Sequence, residues 1–117
     1  MSKPLNEVAF TAGFLQDAKE EGATQDDLNR LVQTLAIDPA AGELIVGSGG
    51  CRKLRLAGRG KGKSGGFRVV TFYAPPAMPV YVIAMLSKGS RQNFDKAEVA
   101  AMAAAAKHIL GAKRAVG

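Results

Sequence analysis

Nine cations and no acid occupy residues 44–94: Arg52, Lys53, Arg55, Arg59, Lys61, Lys63, Arg68, Lys88 and Arg91. Groups of this kind act on phosphates. Arginine offers a planar fork that grips two phosphate oxygens at once, and lysine a mobile point charge. The block holds no histidine, aspartate or glutamate, so the usual proton carriers are missing from it. Cys51 and His108 are single in the chain. No internal disulfide can form, and soft ligands are too few for structural zinc; neither a metal nor a cofactor is expected. His108 lies far from the block in sequence and is expected at the surface.

The charge is segregated. Residues 1–43 hold eight acids and three bases, and residues 95–117 four bases and two acids, within a net charge of +6. A merely solvated surface mixes both signs; a half-chain of one sign points to a polyanion partner. Gly60, Gly62, Gly65 and Gly66 let the backbone between the cations approach phosphates closely. The stretch Ala57–Ser64 also matches a loosened phosphate-loop pattern. A true phosphate loop joins a buried parallel strand to a helix. Here Gly65 and Gly66 follow, then a strand pattern, which argues against nucleotide hydrolysis.

The elements that must carry these cations can be read from periodicity. Leu5 to Phe10 predicts a short strand. Thr11 caps a helix running to Gly22 through Phe14, Leu15 and Ala18. Thr24 caps a second, where Leu28, Leu31, Val32, Leu35 and Ala36 make one apolar stripe that ends at Asp38-Pro39. From Cys51 to Leu56 basic and apolar residues alternate, predicting a half-buried strand with Lys53 and Arg55 on its open face. Phe67–Tyr73 and Val80–Leu86 predict two more strands of an antiparallel meander. Asp95 caps a last helix to about Leu110, with Val99, Met102, Ala103, Ala106 and Ile109 inward. The order β-α-α-β-β-β-α is α+β, with helices packed on a curled sheet.

The 117 residues fit one domain, residues 1–117. No apolar run approaches the roughly 18–20 residues of a membrane helix. The start, MSKPLNEVAF, lacks the apolar core of a secretion signal, so a cytoplasmic protein with no membrane partner is expected.

Three blocks then stand out together. They are Gly47-x-Gly49-Gly50-x-Arg52-Lys53-Leu54-Arg55, then Gly60-x-Gly62-Lys63-x-Gly65-Gly66-x-Arg68-Val69-Val70, then Lys88 with Asn93-Phe94 and Lys96-Ala97-Glu98. They resemble the HigB-type toxins of the RelE/ParE superfamily, whose pattern reads G-T-G-G-x-R-K-x-R, G-K-x-G-G-x-R-V-I-Y-Y and a late K-x-E before a helix. Asp38-Pro39-Ala40-Ala41-Gly42 stands where that family has an N-P-x-x-G turn. The resemblance spans about residues 7–110. It implies a RelE-like fold and a type II toxin that enters the ribosomal A site and cuts messenger RNA. The nucleophile is the RNA's own 2′-hydroxyl, no metal is needed, and translation stops. It also implies a cognate antitoxin, of the HigA-like helix-turn-helix kind that binds DNA.

In-line attack by a 2′-hydroxyl needs a proton acceptor, charge stabilisation at phosphorus and a proton donor for the leaving oxygen. The resemblance places Arg68 at the family's functional arginine, suited to clamp the scissile phosphate. Lys53 and Arg55 share the open face of the preceding strand, and like-charge crowding favours a neutral Lys53 that can act as base. Lys88 stands at the family's late basic position, to stabilise the phosphorane or protonate the leaving group. Tyr73 is a further candidate for that proton, against a packing role. Arg52, Arg59, Lys61, Lys63 and Arg91 are expected to dock the ribosome and RNA. The family's glutamate two places after Lys88 is Ser90 here. A ParE-like gyrase poison and a non-catalytic RNA-binding module are the alternatives. Against the first stand the glycine–lysine loop, Arg68 and Lys88; against the second, the lack of an aromatic stacking platform.

Overall fold

A computed structural model describes residues 6–57, 66–74, 79–87 and 94–116. Within them the order is β1 (Val8–Phe10), α1 (Ala12–Glu21), α2 (Gln25–Ile37), β2 (Glu43–Leu44), β3 (Cys51–Ala57), β4 (Gly66–Phe72), β5 (Val80–Ser87) and α3 (Lys96–Val116). The α+β arrangement expected from the periodicity is present. One strand, β2, was not anticipated, and α3 runs through Gly111 beyond the expected end near Leu110.

The sheet order is β1-β5-β4-β3-β2. β3, β4 and β5 form the expected antiparallel meander, and β2 adds antiparallel to β3. β1 joins β5 in parallel, with Val8 opposite Val80, so the sheet is mixed. α1 then lies along the part of β5 that β1 leaves uncovered. Thr11 places its hydroxyl 3.1 Å from the Val82 carbonyl and 3.2 Å from that of Ile83. The Asp17 carboxylate accepts from the Met85 N–H at 3.1 Å. These side chains satisfy edge groups that would otherwise meet an apolar helix.

The helix ends follow the cap chemistry. Phe14 N–H donates to the Thr11 hydroxyl at 3.1 Å, and Gly22 closes α1 in the left-handed region. Thr24 and Asp27 form a reciprocal capping box at α2. Asp95 and Glu98 do the same before α3, each accepting from the other's backbone N–H.

Two apolar clusters lie on opposite faces of the sheet. On one, Phe14, Ala18, Leu31 and Leu35 of α1 and α2 pack on Leu56, Val69, Val80, Val82 and Met85. On the other, Met102 and Ala106 of α3 pack on Cys51, Val70 and Phe72. Each large buried side chain contributes roughly 1.5–3 kcal/mol. The nearly continuous apolar run of β5 has a specific cause: the β4–β5 register slips at Val70/Thr71, leaving Ile83 as an extra residue. This bulge shifts the alternation, so Val82 and Met85 face α1 and α2 while Ile83 and Ala84 pack on the α3 side.

Candidate nucleic-acid interface

The face that carries α3 is arranged in rows. Cys51, Phe72 and Tyr81 form a row across β3, β4 and β5 at the α3 end. The next row is Glu43, Lys53, Val70 and Ala84, and the next Arg55, Arg68 and Leu86. Alternation puts Lys53, Arg55 and Arg68 on this face, because Leu54, Leu56, Phe67 and Val69 pack on the opposite one. Paired strands lie about 4.8 Å apart and residues two apart along a strand about 6.7 Å. Three cations and a carboxylate therefore stand within about 12 Å at the backbone, close enough for their side chains to reach one phosphodiester and its ribose.

Two sequence-nominated residues are not brought into this group. Arg52 lies on the opposite face by alternation, and its guanidinium donates to the Gly42 carbonyl at 3.1 Å, tying down the turn before β2. Tyr73 packs against the α1–α2 cluster, and its hydroxyl accepts from the Asn6 amide at 3.5 Å. Arg59, Lys61, Lys63, Lys88 and Arg91 lie outside the described residues. His108 is exposed on α3.

The glycine-rich turn before β3 sets the start of that strand. Ile45 N–H donates to the Cys51 carbonyl at 2.9 Å, closing the β2–β3 hairpin. Buried Ser48 ties the turn: its hydroxyl donates to the Ile45 carbonyl at 2.6 Å and accepts from Cys51 N–H at 3.0 Å. Gly50 has φ +111°, and a Cβ there would stand 3.3 Å from the Phe72 ring, so both conformation and packing favour glycine. Burial pushes the Cys51 thiol up, against the hydrogen bond with Ser48; it serves as a core residue, its Sγ 3.7 Å from the Met102 carbonyl.

This hairpin delivers a residue the sequence reading missed. Glu43 faces Lys53 in register, with Oε1 4.0 Å from Nζ. A two-residue strand has no periodicity to detect. The available signal was the turn itself: a hairpin centred on Ser48 pairs position 43 with position 53.

The stretch Ala57–Ser64 connects β3 to antiparallel β4, with Ala57 opposite Gly66. A strand follows it and not a helix, so it lacks the frame of a phosphate loop. Its start is anchored by Arg30 of α2, whose Nη2 donates to the Ala57 carbonyl at 2.7 Å and to Asp27 Oδ1 at 2.6 Å.

The chain is thus a small α+β protein with helices on both sides of a five-stranded sheet. The family described as "RelE toxin of RelE / RelB toxin-antitoxin system" matches residues 6–116. The chain therefore belongs to the RelE toxin family. The fold is similar to that of an arginine-to-alanine double mutant of the Escherichia coli toxin RelE in the free state, with a TM-score of 0.52 and 18% identity over 86% of this chain and 95% of that one. Among the described residues no helix is long and apolar enough to cross a membrane.

Proposed function

We propose that this toxin is a ribosome-dependent endoribonuclease of the HigB branch. It cuts messenger RNA in the A site and so stops translation, using the RNA's own 2′-hydroxyl as nucleophile. The observation that carries the reading is the direct opposition of Arg55 and Arg68 across β3 and β4, with Lys53 in the adjacent row. Like charges placed side by side cost stability. Two guanidinium groups side by side also concentrate positive potential where a phosphate can lie. Arg68 clamps the scissile phosphate, Arg55 and Lys53 share its charge, and Lys88 stabilises the phosphorane. Arg59, Lys61, Lys63 and Arg91 dock the ribosome and Arg52 orders the edge of the sheet. Tyr73, on the opposite face, packs and does not transfer protons.

Ribosome dependence fits so sparse a site, because positioning alone supplies a large share of the barrier reduction. A HigA-like antitoxin, acidic where it covers the basic face, silences the toxin in the cytoplasm by excluding RNA.

The deciding experiment adds purified toxin to programmed ribosomes and maps the 5′ ends of the message. Cuts confined to A-site codons, absent with Arg68→Ala of unchanged circular dichroism and melting, support the assignment. Intact message beside inhibited gyrase points to a ParE-like poison and removes it.

A further inference from the structure

Glu43 is a carboxylate at the edge of the basic face, in one row with Lys53 and beside the row of Arg55 and Arg68. Its side chain is 83% exposed and that of Lys53 30%, and the two stand 4.0 Å apart. That is too far for a hydrogen bond, so the carboxylate oxygens remain open to another donor. An exposed ion pair of this kind contributes about 0–1 kcal/mol, too little to be its purpose. A face that only bound a polyanion would be weakened by an acid in its row.

The backbone under Glu43 is held more firmly than a surface strand of two residues requires. Antiparallel pairing sets Glu43 opposite Lys53 and Leu44 opposite Arg52. Gly42 has φ +100° and packs directly on the Lys53 carbonyl, where a Cβ would collide, and the Arg52 guanidinium holds the Gly42 carbonyl from outside. The backbone from which Glu43 projects is therefore fixed relative to Lys53.

We propose that Glu43 is the proton acceptor of the cleavage site. The assignment rests on the ribonuclease reading above. It fills the gap left by residues 44–94, which contain no acid and no histidine. The Glu43 carboxylate takes the 2′-hydroxyl proton as the O2′–P bond forms. The P–O5′ bond breaks, and the leaving oxygen takes a proton from the Lys53 ammonium. The carboxylic acid and the amine then exchange that proton through solvent, which restores both groups. The products are a 2′,3′-cyclic phosphate and a 5′-hydroxyl, with no co-reactant.

Single-turnover cleavage on saturating programmed ribosomes tests this, with ribosome affinity measured in parallel. Wild-type toxin that fails to cut removes the ribonuclease reading itself and is scored separately. Where wild type cuts, Glu43→Gln is expected to lose about 100-fold or more in rate with affinity unchanged or tighter. Glu43→Ala is expected to regain rate in proportion to added formate, which supplies the missing carboxylate. Glu43→Gln cutting within about threefold of wild type, a rate loss matched by lost affinity, or a Glu43→Ala protein that formate leaves inactive overturns the assignment. Both variants alter an exposed side chain, and a melting curve verifies the fold.

Discussion

Arg55 and Arg68 face each other directly across β3 and β4. Side chains so placed are close neighbours, and two like charges there destabilise the pair. Arg55→Gln is therefore expected to raise stability by a few tenths to about 1 kcal/mol, more at low salt than at high, while lowering RNA cleavage. Melting at two ionic strengths and ribosome-programmed cleavage measure both halves. A variant that loses activity and also stability would show that Arg55 supports the fold instead.

Asp27 is 1% exposed and carries the opposite lesson about buried charge. Burial pushes its carboxyl up, but hydrogen bonds from Thr24 N–H and Arg30, with the guanidinium charge, outweigh it and hold the group below its ordinary 3.8. Its stabilisation is complete above that ordinary value and is lost as pH falls through the lower folded value. Asp27→Asn is expected to cost about 3 kcal/mol, the lower end for a broken buried pair, because Arg30 keeps 24% of its side chain exposed. The variant should also lose part of the wild-type stability decline below pH 3.8. Urea melts across that range read both effects.

Thr71 is fully buried beside the β-bulge, and its hydroxyl has no hydrogen-bond partner among the described residues. An unsatisfied buried hydroxyl costs about 1–3 kcal/mol. Thr71→Val keeps the branched shape and removes the cost, so a gain of about 1 kcal/mol is expected, with cleavage unchanged. A loss of stability in denaturant melts would mean that the hydroxyl is satisfied in solution.

Lys61 and Lys63 stand among Gly60, Gly62, Gly65 and Gly66 in the sequence, and we expect them to contribute charge to ribosome docking and not to the cleavage step. The Lys61→Ala/Lys63→Ala double variant should bind ribosomes more weakly, with a salt slope shallower by about two charges. It should cut at a near-normal rate when toxin saturates. Normal binding with no cutting would place these lysines in the reaction.

Much of this was legible in the chain because it is local. Thr11 and Thr24 cap helices through their own next turn. Alternation from Cys51 to Leu56 puts Leu56 in the core and Arg55 outside. A half-chain without acids marks the strands that carry the basic face. What only the tertiary structure decided is which segments remote in sequence pair, since a strand's own residue pattern does not name its partner. The parallel junction of Val8 with Val80 and the extra residue Ile83 that splits β5 between two faces both follow from it. So does the meeting of Glu43 with Lys53. An acid from the negatively charged first third is carried into the basic face by a hairpin whose strand is too short to announce itself.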